Sequence, residues 1–447
     1  MNKNCRCFTI LIKDYYLVCN NHFDPVMTTP DSLKSAYDAA KGQYAVLGVD
    51  TDSALQRLGE VPISLHCWQS DDVGGFEDPG APVTGGIQAT GNYPGKARNI
   101  GEVRADLEKV FSLVPGKHRL SLHAIYGDFS GKKADRNRVG PEHFQSWVDW
   151  AKALRIGLDF NSTLFSHPKA DSGYTLSDND PAIRTFWIEH VNRCREISDF
   201  IGKELKNRCI HNIWIPDGSK DLTVNRYKHR GYLKESLDTV FAKAYDPSFM
   251  SDAVESKLFG IGLEAFTVGS HEFYLGYAIQ NNIMPCLDIG HFHPTEQVSD
   301  KISALFQFVP ELLLHVTRPI RWDSDHVVIL NDDVRSLFEE IVWADKLENV
   351  NIGLDFFDAS INRIGAYVIG IRAVQKAILL ALLSPIERLR EYEDNGLFFE
   401  RLALLEEAKS KPSGAVWDYY CQMNGVPVAE NYIPEIQKYE REVLSLR

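Results

Sequence analysis

Among the 447 residues there is no Cys-x-x-Cys pair, no basic run, no glycine-rich dinucleotide turn and no internal repeat beyond an alternation of strand and helix. No apolar run reaches the roughly 20 residues needed to cross a bilayer. Each absence removes a class. Cysteines stand at 5, 7, 19, 67, 194, 209, 286 and 421; without paired spacing they exclude a zinc ribbon, and a chain this long does not need a disulfide framework. Cys67, Cys209 and Cys286 lie inside apolar runs and read as small buried hydrophobes in a reducing cytoplasm. With 48 basic against 61 acidic residues the net charge is −13, which repels nucleic acid and suits a neutral or cationic ligand, metal ions in particular. No nucleic-acid or membrane partner is expected.

The apolar patch at 7–13 is broken by Lys13 and Asp14 and no small-residue cleavage site follows. Met27-Thr-Thr-Pro-Asp-Ser-Leu-Lys34 reads as a start, its Thr-Pro-Asp a helix N-terminal signal. Residues 1–26 are therefore expected to be a dispensable extension.

What is present is a regular alternation. Apolar runs at 63–70, 119–126, 156–160, 210–215, 253–259, 284–289, 312–317 and 350–356 read as strands. Helical periodicity appears between them at 142–155, 180–206, 231–244, 273–281, 300–308 and 334–345. This alternation predicts an α/β fold, a (β/α)8 TIM barrel over 27–365. Beyond it the pattern is wholly helical (367–384, 385–393, 397–411, 415–424, 434–445), a C-terminal helical extension over 366–447 expected to serve oligomer contacts.

Polar residues recur at the ends of the strand runs: Trp68, His123, Asp159, Asn161, Trp214, Asp217, Glu255, Lys257, Asp288, His291, His315, Asp355 and Asp358. In a barrel these ends open onto one face. Hard divalent ions take carboxylate oxygens with one or two imidazoles. Glu255, Asp288, His315 and Asp355, from four consecutive strands, can surround one ion, and His291, Asp323 and Asp325 offer a second cluster. His66, His271, His293 and His326 read as structural, and Asp159 and Asn161 as caps of the following turn. The first connection, 71–98, is long and glycine-rich (Gly74, Gly75, Gly80, Gly85, Gly86, Gly91, Gly95) and reads as a functional lid or a disordered link. Its Gly91-Asn-Tyr-Pro-Gly95-Lys96-Ala97 lacks the spacing and the hydroxyl of a phosphate loop.

Several segments carry a family resemblance. Ala253-Val-Glu-Ser-Lys-Leu-Phe-Gly-Ile-Gly262, Leu287-Asp-Ile-Gly-His-Phe-His-Pro-Thr-Glu296, Arg321-Trp-Asp-Ser-Asp-His-Val-Val328 and Gly353-Leu-Asp-Phe-Phe-Asp-Ala-Ser-Ile-Asn362 resemble the bacterial L-rhamnose isomerases. So do His66-Cys-Trp-Gln69, Ile213-Trp-Ile-Pro-Asp-Gly218 and 84–96, and the likeness runs from about residue 30 to the C-terminus. It implies an L-rhamnose/L-rhamnulose aldose–ketose isomerase, the first step of rhamnose catabolism, acting as a homotetramer with manganese. It further implies that His291, Asp323 and Asp325 hold the catalytic ion, and that Glu255, Asp288, His315 and Asp355 hold a second, structural one (Mn2+ or Zn2+). Glu255-Ser-Lys257 is also similar to the Glu-x-Lys strand of xylose isomerase, where the lysine faces the reacting carbons.

On that reading hydrogen moves from C2 to C1, and Asp325 or Asp355 orients the water that shuttles a proton between O1 and O2. His123 assists ring opening, Trp68, Trp214 and Phe76 wall the sugar, and Val73 meets its methyl group. Two other readings are an isomerase preferring another aldohexose or deoxy sugar, and a barrel-rim phosphodiesterase. The second needs a basic crescent that the sequence does not supply.

Overall fold

Short runs rich in Leu, Ile and Val build the inner wall of the molecule, and because both their faces are covered they read as continuous apolar segments rather than alternating ones. The computed structural model describes residues 29–447 except 78–82, 86 and 132–133. The expected extension 1–26, and Gly80 and Gly86 of the first loop, lie outside the described residues. The wall comprises β1 (Ile63–His66), β2 (His118–His123), β3 (Gly157–Asn161), β4 (Cys209–Ile213), β5 (Met250–Glu255), β6 (Met284–Asp288), β7 (Leu312–Val316) and β8 (Val350–Leu354). They pair in parallel in chain order and close on themselves, β8 meeting β1 through Ile63 and Ile352. This is the expected (β/α)8 barrel.

Helices α1 (Pro30–Val46) and α2 (Thr51–Glu60) precede the barrel. Thr29 Oγ1 caps α1 by accepting from Ser32 N, with Pro30 opening the helix, as its sequence signal requires. The outer ring follows the strands in turn: α3 (Ile100–Phe111), α4 (Gln145–Leu154), α5 (Pro181–Leu205), α6 (Arg226–Phe241), α7 (His271–Asn281), α8 (Ser299–Leu305), α9 (Asp332–Trp343) and α10 (Arg363–Leu382). Then come α11 (Ile386–Asp394), α12 (Phe398–Ala408), α13 (Ser413–Met423) and α14 (Tyr432–Glu442). The two ends of the described chain meet where Tyr37 of α1 stacks on Tyr419 of α13, ring centroids 4.1 Å apart.

Among the described residues α10 is the one helix long and apolar enough to cross a membrane, but 78% of its apolar window is buried. Arg372 and Gln375 spend their donors on the carbonyls of Leu113, Pro427 and Pro115. It is the barrel's eighth helix, so a boundary at residue 365 falls inside it and the additional helices begin only after Leu382. The fifth strand also differs from expectation. It starts at Met250 and stops at Glu255 rather than covering 253–259, because past Glu255 the backbone leaves the barrel ladder for the segment that follows it. Lys257 thus lies beyond the strand, its amide donating to Gly269 O at 2.9 Å.

Asp159 does not cap a turn. It lies inside the barrel, where its carboxylate accepts from Arg119 at 2.7 and 2.8 Å, from Ser64 Oγ at 2.7 Å and from Ile210 N at 2.9 Å. Asn161 likewise donates to Ser121 Oγ of the neighbouring strand β2 at 2.7 Å. Asp159 therefore ties β1, β2, β3 and β4 together. Asp159→Ala, which strands the Arg119 guanidinium, is expected to destabilise the protein by about 3–5 kcal/mol in denaturant titration; a loss below about 1 kcal/mol would mean the pair is ordinary surface-like decoration.

Candidate metal centre and active site

Parallel register delivers four donors to the carboxyl mouth of the barrel. Glu255 and Asp288 are the last residues of β5 and β6, His315 precedes the last residue of β7, and Asp355 follows β8. Asp288 pairs with His315, and His315 with Gly353. Their ligand atoms all lie within 4.8 Å of one another. His315 Nδ1 is 3.2 Å from Glu255 Oε2, 3.4 Å from Asp355 Oδ2 and 3.9 Å from Asp288 Oδ2. Glu255, Asp288 and His315 are buried, and Asp288 Oδ2 and His315 Nδ1 have no hydrogen-bond partner in the protein. Cys286 Sγ also approaches Glu255 and His315, but burial pushes its thiol upward, which keeps it protonated. Three clustered carboxylates and an imidazole with orphaned buried atoms are what a divalent cation would satisfy. The residues fit such an ion.

Around this centre lies the second set. His291 sits in the helical turn after β6, and Asp323 and Asp325 lie in the loop after β7, Asp325 with a left-handed backbone (φ +43°). His291 bridges the two sets, Nδ1 being 3.2 Å from Glu255 Oε1 and Nε2 3.2 Å from Asp323 Oδ2. The Lys257 ammonium sits directly on Asp323 Oδ2 and 3.4 Å from His291 Nε2. Among the described residues the donors of His291, Asp323 and Asp325 do not converge as the first four do.

The electrostatics follow from burial and neighbours. Burial, with the charges of Asp355, Glu255 and Asp323, pushes Asp288 up to about 8. Burial and the carboxylates of Asp323, Asp355 and Asp288 drive Asp325 well above the usual range. Burial works against the charge on Lys257, but Asp323 and Asp325 outweigh it and raise its pKa. Asp323 is likewise lowered by Lys257 and His291 in spite of burial.

A cleft of about 80 Å3 opens above, walled by Trp68, Val73, His123, Phe165, Trp214 and Phe357 and floored by the donors. Trp68 Nε1 donates to Asp355 Oδ1 at 3.0 Å, and Lys257 Nζ lies 5.3 Å from the centre of the Trp214 ring. Val73 is a β-branched residue in the left-handed region (φ +62°), a strained conformation of the kind found at binding sites. Phe76 does not line the cleft. It packs edge-on against Tyr126 at 5.6 Å instead. Asp217 is turned away from the mouth, its carboxylate consumed by the amides and hydroxyls of Thr175 and Ser177.

The sequence reading missed Asn212, which lines the cleft and donates from Nδ2 to Glu255 Oε2. A polar His-Asn pair inside the apolar run of β4 was the available signal. Phe165 and Phe357 were missed because loop aromatics carry no periodicity. The first loop is fastened to the eighth by Tyr93 N on Ala359 O at 2.8 Å and Ala359 N on Thr90 O at 3.1 Å. Gly91 (φ +120°) makes that approach possible, since a Cβ there would stand 2.2 Å from the Ala359 carbonyl carbon.

Barrel, buried donor cluster and aromatic cleft together define the class, a (β/α)8 barrel whose mouth carries a cluster that could hold a metal ion. The family model for L-rhamnose isomerase (RhaA) matches residues 31–447. The chain is 58% identical over 421 residues to the L-rhamnose isomerase of Bacteroides thetaiotaomicron, covering 94% of this chain and 100% of that protein. It is 54% identical, with the same coverage, to the L-rhamnose isomerases of Enterobacter sp. (strain 638) and Pectobacterium carotovorum subsp. carotovorum. The chain belongs to the L-rhamnose isomerase family.

The sign of the pH dependence is fixed by Asp288. Its folded pKa lies above its unfolded value, so the protonated form favours folding, and the ion-free protein loses that stabilisation as pH rises toward about 8. Ion binding requires the carboxylate, so Mn2+ affinity is expected to rise from pH 6 to pH 8 by about tenfold per unit for each proton displaced. Calorimetric titration checks this. Asp288→Asn should flatten the dependence and raise the melting temperature of the ion-free protein, and a fall in that temperature would contradict the assigned repulsion.

Proposed function

We propose that this protein interconverts L-rhamnose and L-rhamnulose by metal-dependent aldose–ketose isomerisation. The observation that carries the reading is one cleft in which a buried carboxylate/imidazole centre adjoins Lys257, His291, Asp323 and Asp325 beneath aromatic walls. His291, Asp323 and Asp325 would hold a manganese ion, and Glu255, Asp288, His315 and Asp355 a structural Mn2+ or Zn2+. When bound, a divalent ion supplies Lewis acidity and a template for two adjacent sugar oxygens.

The chain's own residues do the rest. Lys257, held charged by its acidic neighbours, presents a cationic donor beside the reacting carbons. Asp325 is protonated in the ion-free protein by burial and its carboxylate neighbours; as a manganese ligand it would give that proton up and, with Asp355, would orient the water that passes a proton between O1 and O2. His123 is lowered to about 3 by burial and is therefore a neutral imidazole. Its Nδ1 is engaged by Thr163 Oγ1 at 3.0 Å, which leaves Nε2 for the sugar's ring oxygen. A histidine this weakly basic and a lysine kept protonated are poor bases toward carbon, which favours direct transfer of hydrogen from C2 to C1. Trp68 and Trp214 exclude water, and Val73 offers the apolar surface that a 6-deoxy carbon needs.

Assembly as a homotetramer belongs to the same proposal, supported by Phe398, Phe399 and Leu402, which stand 59%, 79% and 59% exposed on α12. A reducing cytoplasm fits too, since Cys67, Cys194, Cys209, Cys286 and Cys421 are free and buried.

Chelator-treated protein given Mn2+ is expected to form ketose from L-rhamnose, and failure to do so would sink the reading. Lys257→Met should lower kcat by about 10²-fold or more. Product made in D2O should carry no solvent deuterium at C1; incorporation at every turnover would rule out direct transfer. Val73→Asp should cut kcat/KM for L-rhamnose by about 10–200-fold, the worth of a methyl contact.

A further inference from the structure

The interior of this barrel is packed on one side only. Ile210, Ala253, Met284, Cys286 and Leu313 form an apolar cluster from β4 to β7. Opposite them β1 and β2 present Ser64 and Ser121, where a packed barrel places bulky branched side chains. The result is a cavity of about 560 Å3 that opens at the amino-terminal mouth, between Arg57 and Glu60 of α2 and Glu348 before β8. Its wall is polar where it deepens, with Ser64, Ser121, Asp159, Asn161 and Asn212, and Asn212 Oδ1 is buried without a protein partner. A roomy, polar cavity of this kind holds water rather than remaining dry.

The inner end of the cavity reaches the metal centre. Asn161, Asn212 and His315 border both this cavity and the cleft above. Asn212 donates to Glu255, and His315 Nδ1 faces Glu255 and Asp355. Gly353 keeps room beside the imidazole, since a Cβ there would stand 3.2 Å from His315 Cδ2. The His315 ring is thus the partition between the lower cavity and the donors. Above those donors the cleft is small, and a bound sugar would close it.

We propose that the interior cavity is an aqueous passage through which the divalent ion held by Glu255, Asp288, His315 and Asp355 loads from, and exchanges with, solvent at the amino-terminal mouth, whether or not sugar fills the cleft. This rests on the reading of those four residues as ion ligands. The charges along the passage are paired, Glu60 with Lys117, Glu348 with Arg57 at 3.4 Å and Asp159 with Arg119 at 2.7 Å, so its wall is close to neutral, and the chain's net charge of −13 favours the approach of a cation.

The test follows Mn2+ loading, and its release into excess chelator, by electron paramagnetic resonance on the full-length protein. In the unaltered protein, saturating L-rhamnose should leave one of two release phases unchanged. Ile352→Phe and Ile210→Phe, which fill the passage from its apolar wall, should slow that phase and the matching loading phase by about tenfold, because a filled interior transmits no ion. Bound stoichiometry and kcat of the loaded enzyme should stay as they were. Release unaltered in a variant that keeps its melting temperature would overturn the passage. So would sugar blocking both phases in the unaltered protein, an arm that stands even where a phenylalanine variant fails to fold. Glu255→Gln serves as the separate check: the same two-ion stoichiometry in that variant would refute the ligand assignment itself rather than the route.

Discussion

At the mouth of the barrel Glu255, Asp288 and Asp355 bring carboxylate oxygens within 4.8 Å of one another and of His315, out of contact with most solvent. Two unit charges about 4 Å apart at an effective dielectric of about 20 interact with about 4 kcal/mol, so the cluster opposes folding until protons or a cation neutralise it. The protein holds the cluster by brute covalent and hydrogen-bonded geometry. Glu255, Asp288 and His315 are fixed by adjacent parallel strands whose register cannot slip without turning each side chain out of the barrel.

The surroundings make sense as consequences of that constraint. Asn212 Nδ2 points at Glu255, Gly290 N at Asp288 Oδ1 (2.6 Å), and Trp68 Nε1 at Asp355. The Asn212, Gly290 and Trp68 donors each stabilise an acceptor and leave lone pairs for an ion, whereas His291 Nδ1 lies 3.2 Å from Glu255 Oε1 without a hydrogen bond to it. Lys257 extends the pattern outward by pairing with Asp323, so the second set is arranged around a largely buried ammonium rather than closed on itself. The first loop is built in the same way. Asp71 accepts from Tyr126 Oη and Gly75 N, Asp72 from Arg363, and Val73, which follows them, is held in its left-handed conformation beside the cleft.

Much of this was legible in the sequence because barrels make local signals coincide with global ones. Each strand is a short apolar run, and the donors stand at its end, so strand recognition and site recognition are one act for Glu255, Asp288 and His315. Where the two separate, the reading fails. Asp159 sits at a strand like the ligands, but its partner Arg119 is 40 residues away on β2, and no local pattern reports a pair formed across the barrel floor. Phe76 was assigned to the sugar wall because it lies in the lid, whereas the backbone bond of its amide to Ile125 O at 2.7 Å turns it toward Tyr126. Lys257 reads as a strand residue, yet the barrel ladder ends at Glu255 and the Lys257 amide goes to Gly269 O instead.

Two buried charge clusters occupy the same barrel, and their difference marks which is structural and which is chemical. At the floor, Asp159 and Arg119 neutralise each other, and the carboxylate accepts four hydrogen bonds from Ser64, Arg119 (twice) and Ile210. Nothing further is needed there, and an added ligand would have to break a satisfied network. At the mouth the same residue types are left short: Asp288 Oδ2, His315 Nδ1, His291 Nδ1 and Asp323 Oδ1 are all buried without partners. Buried polar atoms are rarely abandoned in this way. A fold that satisfies its carboxylates so fully at one end, within the same strands, leaves them unsatisfied at the other because the missing partner comes from outside the chain.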